Sequence, residues 1–287
     1  MTIDYHNLKN WHFDDFTQTY TKNDSILYAL GIGFGSDPTD RHHLRYLLED
    51  GLLAFPTMAV VIGLKPGWLA SAGTGVNYLR VLHAEQALRI HRPLPAEGRV
   101  ISRTRVTEVV DKGAAKGAIV FTERTLHAEQ HDEILATVTT ASFCRANGGF
   151  GGPVTKGPDP HPLPSSPAQF SVDIPTSRRA ALIYRLSGDF NLVHGDPDVA
   201  RAAGFSEPIL HGLCTYAIAG RAIIEAACGH DAGRLISLAV RFSAPVYPGE
   251  TLRTEMWRDG DVISFRTTVP GRDNVVVLNN GRAEIRA

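Results

Sequence analysis

A short sequence pattern occurs once in each half of this chain. The segments Ala87–Leu94 and Ala239–Val246 both read Ala-apolar-Arg-apolar-x-x-Pro-apolar. Each copy is followed by segments in which apolar and polar residues alternate with a period of two, which is typical of antiparallel strands. The chain therefore favours a duplicated fold, in which each half builds its own set of strands.

The alternating segments are bounded by glycine, aspartate and asparagine, which are common turn residues. Asp259-Gly260 and Asn280-Gly281 are the two dipeptides that most favour tight hairpin turns. The predicted strands are Arg99–Val109, Ala118–Leu126 and Ile134–Phe143 in the first half, and Thr251–Trp257, Val262–Val269 and Val275–Ile285 in the second.

One helix is predicted ahead of the strands in each half. The segment Gly212–Cys228 is apolar on nearly every face, and its two charged residues, Arg221 and Glu225, have the i, i+4 spacing of a helical ion pair. Pro56–Leu64 is a shorter and weaker counterpart. An all-round apolar helix followed by antiparallel strands predicts an α+β fold, with a sheet curled around a buried helix in each half.

Glycine and proline divide the chain into two domains. They make up half of the 22 residues from Asn147 to Ala168, a composition that favours an extended linker. The predicted organisation is an N-terminal domain over residues 1–146, a linker over 147–168 and a C-terminal domain over 169–287.

Composition excludes several function classes. The formal net charge is −1, so the chain lacks the positive field that holds nucleic acid or an anionic membrane surface. The longest apolar run, Gly51–Leu64, is too short and too broken by Pro56 to span a bilayer. Three scattered cysteines favour neither disulfides nor a metal site, and neither end resembles a targeting signal. We therefore expect a cytoplasmic protein without a bound metal.

Polar residues are concentrated in the loop between Gly188 and Gly195. Asp189 and His194 could share a water molecule there, with the carboxylate removing a proton and the imidazole orienting the water and passing a proton onward. An aspartate that caps a turn beside an exposed histidine explains the same spacing. Asp196, in contrast, precedes Pro197 and is interpreted as the N-cap of a short helix.

The glycine that opens the long apolar helix is a second candidate. Gly212 lies in the first turn, where backbone N–H groups have no partner within the helix. Such amides and the helix dipole can stabilise negative charge on a thioester oxygen, as in an oxyanion hole. A glycine that merely eases a tight helix entry remains an alternative.

These residues together resemble the MaoC-like, (R)-specific enoyl-CoA hydratases, and most closely the hydratase 2 group, whose members carry two hot-dog domains in one chain. The resemblance covers almost the whole chain. Its motifs here are Ser187-Gly188-Asp189-x-Asn191-x-x-His194-x-Asp196-Pro197, Gly204-Phe205, Pro208-Ile209-Leu210-His211-Gly212, Tyr28-Ala29-Leu30-Gly31-Ile32-Gly33 and Leu82-His83-Ala84-Glu85-Gln86.

The resemblance implies reversible hydration of a trans-2-enoyl-CoA to a (3R)-3-hydroxyacyl-CoA, without a cofactor. Asp189 and His194 would be the catalytic pair, the Gly212 amide would polarise the thioester carbonyl, and Asn191 would position the water or the pair. One departure is that Leu192-Val193 stands where the family usually has Pro-Leu.

The first half lacks the catalytic pair, because Phe55 stands five residues after Asp50 where a histidine would be needed. The resemblance therefore implies one active site per chain, and a first half that accommodates the acyl tail. A hot-dog acyl-CoA thioesterase and a catalytically silent acyl-CoA-binding protein are the alternatives. A homodimer is compatible with the sequence, although two domains in one chain could already supply the pairing.

Overall fold

The computed structural model describes residues 2–153 and 156–286, and its ten strands pair in one sheet. The first half contains α1 (Tyr5–Lys9), β1 (Phe16–Tyr20), α2 (Lys22–Gly31), α3 (Arg41–Leu44), β2 (Val81–Ile90), β3 (Gly98–Asp111), β4 (Ala118–Ala128) and β5 (Glu133–Cys144). The second half contains β6 (Phe170–Pro175), α4 (Ala180–Tyr184), α5 (Pro197–Ala202), α6 (Gly212–Ala227), β7 (Leu235–Phe242), β8 (Thr251–Asp259), β9 (Val262–Val269) and β10 (Val275–Ile285).

The ten strands form a single antiparallel sheet in which the two halves mirror each other. The order is β1-β3-β4-β5-β2-β7-β10-β9-β8-β6, so the halves meet where β2 pairs with β7. In that pair Ala87 lies opposite Ala239. The two copies of the repeated pattern are therefore neighbours at the centre of the sheet, and the duplication predicted from the sequence corresponds to an approximate two-fold relation.

The arginine of each copy forms an ion pair. Arg241 contacts Glu85 at 2.6 Å across the β2–β7 pair, and Arg89 contacts Glu284 at 3.0 Å. Arg241 and Arg89 therefore have a structural role. They also join the halves to each other, because each pair links a residue of one half to a residue of the other.

The long helix α6 lies in the core that the two halves share. Twelve of its sixteen residues are buried, as the all-round apolar pattern predicts, and Arg221 pairs with Glu225 at 2.6 Å. At Gly220 an added Cβ would lie 3.0 Å from Leu238 and 3.1 Å from Thr57. This close approach presses α6 against β7 on one side and against the first half on the other.

The prediction of a helix over Pro56–Leu64 is wrong in extent. A 3₁₀ turn of five residues, Pro56–Val60, is found there, and all five residues are buried. Continuous apolar sequence fits a buried turn as well as a buried helix, since burial and not periodicity produces the pattern.

The turn predicted at Asn280-Gly281 is also wrong, whereas Asp259-Gly260 does join β8 to β9. Asn280 has a positive φ of 52°, but it lies inside β10, where the register shifts against both neighbouring strands. A Cβ at Gly281 would lie 2.5 Å from the carbonyl oxygen of Phe265. The dipeptide therefore forms a β-bulge, which needs the same backbone freedom as a turn.

The segment 147–168 contains neither helix nor strand among its described residues. It lies against the second half through specific hydrogen bonds. His161 contacts the Ser264 hydroxyl at 2.7 Å, and the Trp257 indole N–H donates to the Ser166 carbonyl at 2.8 Å. In the described parts of the chain, every helix is too short or too polar to cross a bilayer.

Candidate active site

The loop that carries Asp189 is held by local capping interactions. Gly188 adopts a positive φ of 115° and ends the turn after α4, which places Asp189 at the start of the loop. The Asn191 amide donates to the Asp189 carboxylate at 3.1 Å, and the Asn191 side chain accepts from the Val193 amide at 3.2 Å. Asn191 therefore fixes both the carboxylate and the 3₁₀ turn that leads to His194.

Asp196 has the structural role predicted for it. Its side chain accepts the amides of Asp198 and Val199 at 2.8 and 3.3 Å, and Pro197 is the first residue of α5. This cap is separate from the Asp189 cluster, since both of its hydrogen bonds go to the helix.

His194 is held in one orientation by the main chain. Its Nδ1 donates to the Ile209 carbonyl at 2.8 Å, which leaves Nε2 as the proton acceptor. The side chain is 9% exposed. Burial lowers the pKa of His194 below its usual value, outweighing the Ile209 hydrogen bond and the Asp189 charge, which raise it. His194 is therefore a neutral imidazole at pH 7.

His211 is part of the same cluster, although in the sequence it stands out only as part of the Pro208-Ile209-Leu210-His211-Gly212 motif. Its ring stacks on His194 with centroids 3.7 Å apart, and its Nε2 donates to the Asp189 carbonyl at 3.1 Å. Tyr184 packs on the ring at a centroid distance of 5.1 Å. Burial, followed by the charge of His194, lowers the pKa of His211 to about 4. His211 is therefore neutral, and it holds both catalytic candidates in place by stacking on His194 and by donating a hydrogen bond to Asp189.

Asp189, His194 and His211 converge, since each offers one ligand atom and these atoms lie within 4.8 Å of one another. A carboxylate and two imidazoles also form a donor set that could hold a divalent cation. Each imidazole already donates one nitrogen to a backbone carbonyl, so one nitrogen per ring remains available. The same atoms can instead hold one water molecule between proton acceptors.

Gly212 is the first residue of α6, as predicted. His211 precedes it as the N-cap without a capping side chain, and no acceptor for the Gly212 N–H is found within residues 2–153 and 156–286. An added Cβ would lie 3.1 Å from the Phe242 ring. The glycine therefore lets β7 approach the helix end and leaves an amide free beside the His194–His211 stack.

The first half also lies close to this site, through Tyr78, which was not predicted, and through His83, which was identified only as part of a motif. His83 packs on Phe242 with ring centroids 4.7 Å apart. Burial lowers the pKa of His83 to about 4, and the Asp189 charge opposes that shift. Burial and then the Asp189 charge raise the pKa of Tyr78. The charge of Asp189 thus influences the pKa of both residues, although more than 100 positions of the sequence separate them from it.

Two family models match most of the chain. Residues 18–146 match the "MFE-2 hydratase 2 N-terminal domain", and residues 161–280 match the "MaoC like domain".

The chain is 40% identical to "3-hydroxyacyl-thioester dehydratase Y" of Mycobacterium tuberculosis over 92% of both chains. It is 35% identical to "Enoyl-CoA hydratase 2, peroxisomal" of Arabidopsis thaliana over 93% of this chain and 91% of that one. Among solved structures, a MaoC-like dehydratase from Phytophthora capsici superimposes with a TM-score of 0.83, at 32% identity and 95% coverage of both chains. The fold is the double hot-dog, and the chain belongs to the MaoC-like, hydratase 2 family of dehydratases.

Proposed function

We propose that this protein hydrates trans-2-enoyl-CoA reversibly to (3R)-3-hydroxyacyl-CoA, with Asp189 and His194 as the acid–base pair and the Gly212 amide as the oxyanion hole. The protein is an enzyme of the enoyl-CoA hydratase class, a carbon–oxygen lyase, as its hydratase 2 relatives are. The observation that carries the residue assignment is the convergence of Asp189 and His194 beside the free amide at the start of α6.

The protonation states determine where the transferred proton comes from. His194 presents an unprotonated Nε2 at neutral pH, and the Asp189 carboxylate oxygens are likewise hydrogen-bond acceptors. A water molecule held between them would donate a hydrogen bond to each. As its oxygen attacks Cβ, one proton passes to the pair and from there to Cα, so that water supplies both the hydroxyl group and the new hydrogen.

The oxyanion assignment to Gly212 follows from charge development in the reaction. Addition at Cβ moves an electron pair towards the thioester oxygen, which becomes an enolate oxygen. A free N–H at a helix N-terminus stabilises that negative charge. Asn191 acts on the pair as a positioning residue, because its backbone amide holds the Asp189 carboxylate and its side chain holds the turn before His194.

The first half is proposed to be non-catalytic and to accommodate the acyl tail. Asp50 is exposed, whereas Phe55 is 1% exposed and packs among aromatic rings, so no acid–base pair forms there. The short turn Pro56–Val60 replaces a full helix in this half. Proposed domain limits are 1–146 and 169–287, joined by 147–168.

A cytoplasmic location is proposed from the sequence and from three free, buried cysteines, Cys144, Cys214 and Cys228. The Arabidopsis relative is described as peroxisomal, so a peroxisomal protein is the outcome that would replace this proposal. Fractionation of cells that express a tagged full-length chain distinguishes the two. A homodimer is also proposed, and light scattering of the purified protein tests it.

The reaction is tested with a panel of trans-2-enoyl-CoA esters of increasing chain length. Loss of the conjugated-thioester absorbance and release of free thiol are followed together, and the product configuration is determined. Hydration predicts absorbance loss without thiol and a (3R) product. Thiol release would instead identify a thioesterase, and an unchanged substrate on every ester would favour a binding protein.

A further inference from the structure

One nitrogen of the Asp189–His194–His211 cluster has no role in the proposed reaction. The His211 side chain is 1% exposed, and its Nε2 donates to the Asp189 carbonyl, so the neutral ring carries its lone pair on Nδ1. In the described part of the chain, Nδ1 is buried and has no hydrogen-bond partner. A buried acceptor without a donor costs free energy, so this nitrogen is suited to a ligand that carries positive charge.

All three side chains of the cluster have the outer hydrogen bonds that are typical of metal ligands. A metal-binding imidazole usually donates its second nitrogen to a carbonyl or carboxylate, which fixes the ring and its tautomer. His194 donates from Nδ1 to the Ile209 carbonyl at 2.8 Å, and His211 donates from Nε2 to the Asp189 carbonyl at 3.1 Å. The Asn191 amide donates to one Asp189 carboxylate oxygen at 3.1 Å, which leaves the second oxygen for a metal.

The ligand atoms of the cluster are close enough to bind one ion. They lie within 4.8 Å of one another, and among residues 2–153 and 156–286 no other group of three His, Cys, Asp or Glu residues meets this limit. Zinc bonds to nitrogen and oxygen are about 2.0–2.2 Å long, so the ligand atoms of a tetrahedral ion are roughly 3.4 Å apart. The three atoms would therefore have to approach by about 1.4 Å at most. Asp189 is half-buried, so the cluster is open to solvent on its side.

We propose that Asp189, His194 and His211 bind a transition-metal ion of the zinc class, and that the bound ion inhibits hydration reversibly. The inhibition rests on the proposed hydratase function. Imidazole and carboxylate donors suit Zn²⁺, Ni²⁺ and Cu²⁺, whereas Mg²⁺ and Ca²⁺ prefer oxygen ligands alone. The ion is an inhibitor and not a cofactor, because it engages the lone pairs of Asp189 and His194 that have to accept a proton from water.

A zinc ion can also activate a bound water molecule as a nucleophile. In this cluster the ion would leave neither Asp189 nor His194 free to carry a proton to Cα of the substrate. Inhibition is therefore expected, and activation by zinc is treated as an outcome of the test.

The metal site is tested by binding measurements that do not need turnover. Protein without a histidine tag is stripped with a chelator and titrated with Zn²⁺ by calorimetry and with Co²⁺ by visible absorption. The variants His211→Gln and Asp189→Asn each remove one ligand. The matched control is His42→Gln, because the exposed His42 ring also stacks on a second imidazole, that of His230, with centroids 4.0 Å apart.

We expect the wild type and His42→Gln to bind one Zn²⁺ per chain, and Mg²⁺ not to compete. His211→Gln and Asp189→Asn should each weaken zinc binding about 100-fold or more, since even the outer hydrogen-bond partners of a metal site contribute about 10- to 100-fold. In the hydration assay of the wild type, Zn²⁺ should lower kcat with little change in KM, and a chelator should restore the rate.

Absence of zinc binding to the wild type, loss of binding in His42→Gln, or equal binding by all variants would overturn the proposal. Zinc that binds to the cluster and leaves the rate unchanged, or raises it, would overturn the inhibitory role. Failure of the hydratase function is distinguishable, because then no enoyl ester is hydrated with or without zinc, while calorimetry still reports on the three ligands.

Discussion

The two halves of the molecule have the same strand arrangement around the β2–β7 pair but different loops in front of the strands. In the second half a short loop brings Asp189 and His194 to the start of the sixteen-residue helix α6. In the first half, Phe55 directly precedes a five-residue 3₁₀ turn and packs with Phe34 and Tyr46. The sheet is thus present in both halves, whereas the candidate catalytic groups lie in one loop and at one helix end of the second half.

Among substitutions other than those of Asp189, the largest effect is expected from His194→Gln in the second half. Glutamine keeps a hydrogen-bonding side chain but cannot accept a proton near neutral pH, so kcat should fall about 10²- to 10⁴-fold. Steady-state kinetics on the preferred enoyl-CoA measures this loss. The wild-type rate should also fall on acidification only below the usual histidine pKa, since burial lowers the pKa of His194.

A substitution of Phe55, which stands where the first half would need a histidine, should affect stability and not chemistry. Phe55→Ala removes a buried ring from the aromatic cluster and should lower the free energy of unfolding by about 3–5 kcal/mol. Urea unfolding measures that change. The folded variant should keep its kcat within about twofold on a short-chain ester, and a loss comparable with that of His194→Gln would contradict a non-catalytic role of the first half.

An intermediate effect is expected at the helix end. In Gly212→Ala the new methyl group would meet the Phe242 ring at 3.1–3.5 Å, so the ring and the amide must shift by a few tenths of an ångström. We expect kcat/KM to fall about tenfold, because the oxyanion donor loses its alignment. Adding Phe242→Leu should restore part of the rate, and no restoration would contradict the steric explanation.

A pH-dependent effect concerns one buried imidazole from each half. The pKa values of His83 and His211 are about 4 in the folded protein and near 6.5 in an unfolded chain, so the unfolded state binds more protons between these values. Stability should therefore fall as the pH is lowered from about 6.5 to 4, with each residue adding up to about 1.4 kcal/mol per pH unit.

Urea titrations between pH 7 and pH 5 measure this slope. His83→Gln should reduce it, whereas the exposed control His131→Gln should not. An unchanged slope in His83→Gln would show that this residue is accessible to protons in the folded protein.

Most of the sheet could be predicted from the sequence, because strand alternation, the α6 pattern and the Asp196 cap are local signals. Asn280-Gly281 could not be assigned, since a bulge and a turn need the same backbone conformation and only the partner strand decides between them. The Asp189–His194 pair could be predicted from the sequence, because both residues lie within one loop. The positions of His83 and Tyr78 near this loop could not be predicted, because only the pairing of β2 with β7 brings the first half to it.

The assignment of the chemistry to the second half is tested most directly by the matched pair Asp189→Asn and Asp50→Asn, one carboxylate from each half. Both proteins are assayed on the same trans-2-enoyl-CoA for absorbance loss, thiol release and product configuration, after circular dichroism has confirmed their folding. Asp189→Asn should abolish formation of the (3R)-hydroxyacyl-CoA, whereas Asp50→Asn should leave it unchanged. Retained activity in Asp189→Asn, or its loss in Asp50→Asn, would contradict the assignment of the chemistry to the second half.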